Sequence, residues 1–125
     1  MTQRRLLLVE DDLAFGRIVA LILEDQVDVH CVGDADQALA ALAEFEPDAI
    51  VSDMNMPRMS GVELYRKIQT NNSTRKIPFA LMTGFTDDGD GPLQEARTEG
   101  IRQIISKDLG LDELRDTLLG LVNAC

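Results

Sequence analysis

The sequence predicts an α/β fold, a doubly wound parallel sheet of five strands with helices on both faces. Three observations carry this expectation. Five short apolar runs alternate along the chain with five segments of helical period, the pattern of successive βαβ units. Two of the runs, Leu6-Leu7-Leu8-Val9 and Ala49-Ile50-Val51, are continuously apolar, as strands covered on both faces are. And 125 residues suffice for one core but not for two, so a single domain over residues 1–125 is expected.

Each element follows from local pattern. After the first strand, Leu6 to Val9, the residues Phe15, Ile18, Val19, Ile22 and Leu23 recur at helical spacing and form one stripe. Val27, Val29 and Cys31 alternate with Asp28 and His30, which reads as a half-exposed strand at a sheet edge. Asp34-x-x-Gln37 resembles a capping box opening a second helix, continued by Ala38, Leu39 and Leu42. Ala49 to Ser52 is the third strand, and Ser60-x-x-Glu63 is a second box, opening a helix with Leu64, Tyr65 and Ile68. Pro78 to Met82 makes the fourth strand, its proline at the start, where no interior ladder bond is lost. A helix over Leu93 to Glu99 stops at Gly100; Gln103 to Ser106 is the fifth strand; Leu111, Leu114, Leu118 and Leu121 stripe the last helix.

Composition narrows the function. A net charge of −10 lacks the basic footprint that phosphate backbones demand, so this domain is expected to contact no nucleic acid. No stretch approaches the roughly 20 apolar residues of a membrane helix. The start, MTQRRLLLVEDD, has too short an apolar run for a signal peptide. Cys31 and Cys125 show no disulfide or zinc spacing, which fits a reducing cytosol and a cytoplasmic location.

In doubly wound sheets, ligands sit beyond the carboxyl ends of the strands, at the switch in strand order. The residues there carry chemistry. Strand one runs into Glu10-Asp11-Asp12, strand three into Asp53, strand four into Thr83-Gly84 and strand five into Ser106-Lys107. An acid ending an apolar strand is costly to desolvate, so Asp53 asks for a reason. Clustered carboxylates repel unless a cation joins them, and the lack of histidine and cysteine among them favours a hard ion, Mg²⁺ over Zn²⁺. A lysine and a threonine hydroxyl beside such an ion suit phosphoryl oxygens, and an aspartate can act as the nucleophile that forms an acyl phosphate. Asp12, by contrast, reads as the cap of the first helix. Met54, Met56 and Met59 read as gap-filling core contacts, and Pro57 and Gly61 as turn residues, the glycine for its backbone angles.

Taken in order, Glu10-Asp11, Asp53 within DMNMPRMSG, Thr83 and Lys107 resemble the receiver domain of two-component response regulators, over essentially the whole chain. The resemblance implies the strand order 2-1-3-4-5. It also implies that Asp53 takes a phosphoryl group from a histidine kinase or phosphotransfer protein. Mg²⁺ would be held by Asp11, Asp53 and the backbone carbonyl of Asn55, with Glu10 helping through water. Lys107 and Thr83 would bind phosphoryl oxygens, and a downstream protein partner would read the switch. Such a protein is not a conventional enzyme, although it assists transfer to its own aspartate.

The chain departs from the family pattern in three places. Asp108 stands where a proline usually follows the lysine, which suggests a different loop path and a less rigid Lys107. Ile104 stands where a switching Tyr or Phe is common. Phe85, two residues past Thr83, precedes the loop segment TDDGDGP, longer than in typical relatives; a bulky group there is expected either to slow hydrolysis of the acyl phosphate or simply to pack on the loop. Ile104 and Asp108 keep alive an alternative, a receiver-like adaptor acting without phosphorylation. A small flavin- or nucleotide-binding protein is the remote alternative. It would want a Gly- or Ser/Thr-rich phosphate loop where this chain has three acids. Thr86-x-Asp88-x-Asp90-Gly91 half-matches a calcium loop, but the twelfth position is Arg97 rather than glutamate.

Overall fold

The computed structural model describes residues 3–84 and 92–123. Its elements alternate throughout: β1 (Arg4–Val9), α1 (Leu13–Leu23), β2 (Val27–Val32), α2 (Ala35–Leu42), β3 (Ala49–Asp53), α3 (Gly61–Gln69), β4 (Phe79–Thr83), α4 (Pro92–Glu99), β5 (Gln103–Ser106) and α5 (Leu111–Val122). The five strands form one parallel sheet in the order β2-β1-β3-β4-β5, as expected.

Strand alternation sorts the core into two layers. Leu7, Val9, Ile50, Phe79 and Leu81 point to the side covered by α2, α3 and α4, where Ala38, Leu64, Ile68 and Leu93 meet them. Leu6, Leu8, Val51, Ala80 and Met82 point the other way, onto Val19 and Leu23 of α1 and Leu114 and Leu118 of α5. Burying each such side chain fully is worth about 1.5–3 kcal/mol, which holds both layers against the sheet. The stripe of α1 holds except at Ile18, which faces outward: Val19 and Leu23 are buried, and Phe15 and Ile22 pack against the same layer. Gly16 lies close under β2, where a Cβ would come within 2.9 Å of Cys31 Sγ and the thiol would have to turn aside.

The helix starts differ in how fully they are capped. Asp12 accepts from the backbone N–H groups of Ala14 and Phe15, so it caps α1 as expected. Ser60 and Glu63 close a reciprocal box at α3. At α2 the box is open. Asp34 accepts from the Gln37 N–H, but the Gln37 side chain turns back to the Gly33 N–H instead of that of Asp34.

Candidate functional site

The two acids of β1 and β3 reach the same rim because their strands are neighbours in register, Val9 opposite Ser52. Both β3 and β4 extend one residue past the strands expected from sequence, so Asp53 and Thr83 are the last residues of their strands rather than the first of the loops. Asp53 keeps a half-buried side chain, and Thr83 is buried at 2% exposure. On β5, pairing of Thr83 with Ser106 brings Lys107 alongside, and the Lys107 N–H donates to the Thr83 carbonyl at 2.9 Å.

Glu10, Asp11 and Asp53 each offer a carboxylate oxygen, and these oxygens all lie within 4.8 Å of one another. The Lys107 ammonium sits among them, 2.7 Å from Glu10 Oε1 and 3.3 Å from Asp53 Oδ2. Glu10 is enclosed, at 1% exposure, and its second oxygen accepts from the Asp12 N–H at 3.1 Å. Burial pushes the Glu10 carboxyl above its usual range, against the pull of Lys107. Burial draws the Lys107 ammonium down, but its contact with Glu10 and the charges of Asp53 and Glu10 outweigh that and leave it above the ordinary lysine value. The lysine therefore stays cationic.

The β3–α3 loop is pinned at both ends. The Met54 N–H donates to the Met82 carbonyl, and the Gly61 N–H to the Met54 carbonyl, both at 2.9 Å. Met54 is buried, and Met56 and Met59 pack on the same core layer, which is the gap-filling role expected of them. Asn55 lies exposed between them, two residues past Asp53.

Two details of this loop differ from the sequence reading. Gly61 does not adopt a positive φ; it is required because a Cβ would lie 2.5 Å from the Asp53 carbonyl oxygen and 2.6 Å from Leu81 Cδ2. The residue in left-handed backbone is Arg58, at φ 69°, whose guanidinium pairs with Asp34 at 2.9 Å and ties the loop to the start of α2. Arginine gives no sequence signal for that conformation.

The remaining expectations fall as follows. Ile104 is half-buried against the layer of α3 and α4. The Asp108 N–H donates to Ser106 Oγ at 3.0 Å, a bond that a proline at this position could not make. Phe85 and the half-match to a calcium loop at Thr86 to Gly91 lie outside the described residues. A neighbour that the sequence reading left in the core stripe is Phe15 of α1, whose ring centroid is 5.0 Å from Lys107 Nζ.

The donor set passes a simple test for a divalent ion. Its atoms are all oxygens, three carboxylates converge, and among the described residues one cation, Lys107, faces them within the cluster, so a hard ion such as Mg²⁺ fits the charge and the chemistry.

Residues 6–119 match the family model described as the response regulator receiver domain. The chain belongs to that family. It is a receiver domain of two-component systems. Among solved structures, the chemotaxis response regulator CheY4 of Vibrio cholerae superposes with a TM-score of 0.85 at 27% identity, over 96% of this chain and 99% of that one. The signal receiver domain of a histidine kinase from Syntrophus aciditrophicus gives 0.84 at 27% identity, over 95% and 89%. Among curated relatives, protein-glutamate methylesterase/protein-glutamine glutaminase 1 of Pseudomonas savastanoi pv. phaseolicola is 36% identical over 104 residues. The match takes in 81% of the receiver chain and 28% of that relative. The DNA-binding response regulator MtrA of Mycobacterium tuberculosis is 29% identical over 89 residues, spanning 70% of this chain and 38% of that one. The receiver thus corresponds to roughly a quarter to two-fifths of these longer proteins, whose named activities are their own. Among its described residues, no helix is long and apolar enough to cross a membrane.

Proposed function

We propose that Asp53 is the phosphoryl acceptor and that this receiver switches the binding of a downstream protein when Asp53 is modified. The observation that carries the reading is the convergence of Glu10, Asp11 and Asp53 around one point, with the Lys107 ammonium reaching Glu10 and Asp53.

In the reaction inferred here, an Asp53 carboxylate oxygen attacks the phosphorus of a phosphohistidine on a histidine kinase or phosphotransfer protein. The P–N bond breaks as the P–O bond forms, and the imidazole leaves with the electron pair. Glu10, Asp11, Asp53 and the Asn55 backbone carbonyl would hold Mg²⁺, which when bound neutralises charge on the phosphoryl oxygens. Lys107 gives a positive charge beside the acceptor, and Thr83, the last residue of β4, would donate its hydroxyl to a phosphoryl oxygen. Catalysis of this kind is positioning and charge neutralisation, which the chain supplies for its own modification without acting on another substrate. The added charge then biases a two-state equilibrium that a partner reads.

Incubation with acetyl phosphate and Mg²⁺, followed by intact-mass measurement, tests this. One phosphoryl adduct is expected on the wild type and none on Asp53→Asn. An adduct that survives in Asp53→Asn moves the acceptor elsewhere. A folded wild type without adduct leaves the phosphorylation-independent adaptor.

A further inference from the structure

Among the described residues, the ammonium of Lys107 meets three groups, and two of them are the carboxylates of Glu10 and Asp53. The third is the ring of Phe15, 5.0 Å from Nζ to centroid. An aromatic face is the negative part of the ring quadrupole, so it attracts a cation that has partly left water. Lys107 meets that condition: its side chain is 24% exposed.

The ring is itself held from both ends. The Phe15 N–H donates to Asp12 Oδ1 at 3.2 Å, which fixes the first turn of α1, and the side chain packs on the core layer between the sheet and the helices α1 and α5. The backbone under Lys107 is held as well, by the Lys107 N–H on the Thr83 carbonyl and the Asp108 N–H on Ser106 Oγ. What these bonds leave undetermined is the long, flexible stem between the Lys107 backbone and its charge. Lysine keeps substantial rotamer freedom, and an electrostatic group contributes most when its position is set before the reaction.

We infer that Phe15 is the positioning residue for Lys107, its ring closing the third side of the ammonium's seat and keeping the charge against the Asp53 carboxylate. The inference rests on the reading of Asp53 as acceptor for its effect on rate, but not for the existence of the seat. Phe15 acts through Lys107 and touches no reacting atom.

The two parts are tested separately. In proton NMR of the wild-type protein, the Lys107 ε-methylene signals are expected to be shifted upfield by the ring current of Phe15. In Phe15→Leu, which keeps the apolar contact with the core and removes the π-face, they return toward ordinary lysine positions. Initial rates of Asp53 phosphorylation by acetyl phosphate at saturating Mg²⁺ should fall by about three- to tenfold in Phe15→Leu, within the range of a cation–ring contact. Phe15→Tyr should restore the rate to within about twofold. In a Lys107→Ala background, Phe15→Leu should make no further difference, because the pair acts as a unit. Wild-type Lys107 signals without an upfield shift overturn the seat, and need no variant. A lost shift with an unchanged rate overturns the positioning role, as does an equal effect of Phe15→Leu with and without Lys107. Should the wild type take up no phosphoryl group, the Asp53 reading falls while the resonance measurement still decides the seat.

Discussion

Gly61 shows how closely the acceptor strand is packed. A Cβ there would meet the Asp53 carbonyl, which is backbone, as well as the buried tip of Leu81, so the contact is not relieved by turning one side chain aside. Gly61→Ala must push the end of β3 away from α3 or shift α3 as a whole. Overpacking of this kind costs about 1–3 kcal/mol, and the expected fall in Tm is roughly 4–15 °C. Thermal unfolding measures the loss, and amide shifts centred on Asp53 and Met54 would locate it. An alanine variant as stable as the wild type would mean that the loop has slack the structure does not have. At this scale the sequence is an uneven guide. The acids and Lys107 are legible only jointly, because each alone reads as a cap or a surface charge and it is their occurrence in order after successive strands that points to one site. The reason for Gly61, the left-handed Arg58 and the contact of Phe15 with Lys107 are not legible. Each depends on a distance between chain segments, and no local pattern encodes it.

The helices show the same division between a local signal and its tertiary outcome. Ser60 and Glu63 satisfy two orphan N–H groups reciprocally, so the Ser60-x-x-Glu63 pattern is realised in full. Asp34-x-x-Gln37 looks equivalent in sequence, but Asp34 must also take the Arg58 guanidinium, and Gln37 serves the Gly33 N–H instead. A capping motif names the first residue of a helix reliably, and its second partner only where nothing else competes for it. Ser60→Ala should therefore lower stability by about 1 kcal/mol, with the Glu63 amide losing protection first in hydrogen exchange, since its acceptor is gone. Because α3 starts directly behind the loop that carries Asn55, the same variant should weaken Mg²⁺ binding modestly. Unchanged protection at Glu63 would show that water replaces the hydroxyl without loss. The strands were more legible than the helix ends because period two and continuous apolar runs persist whatever surrounds them. The carboxyl ends of β3 and β4 lie one residue beyond the expected strands, because Asp53 and Thr83 are polar residues still paired in the sheet.

The whole molecule brings these pieces to one edge, and doing so has a cost. The alternation of β1 to β5 with helices follows from chain pattern, and the order β2-β1-β3-β4-β5 from the family resemblance, so the meeting of the strand ends at one edge is legible in the sequence. What the pattern could not tell is the degree of crowding: among the described residues, three carboxylates offer oxygens within 4.8 Å of one another, one of them enclosed, opposed within the cluster by one ammonium. Like charges at that spacing repel, so the metal-free protein should be less stable than its packing alone would make it. Asp11 is the exposed member, and Asp11→Asn removes a charge there without opening a cavity. Its Tm without Mg²⁺ should rise by a few degrees above that of the wild type. With Mg²⁺ the ranking should reverse. Ligand at ten times its Kd stabilises the native state by about 1.4 kcal/mol, which for a chain of this size raises Tm by roughly 4–10 °C, and Asp11→Asn should lose most of that rise. Thermal melts of both proteins across a Mg²⁺ series would then cross, with CaCl₂-free EDTA buffer as the zero point. Parallel curves would mean that the cluster's repulsion is already relieved by Lys107, and that the acids were placed at this edge for something other than a divalent ion.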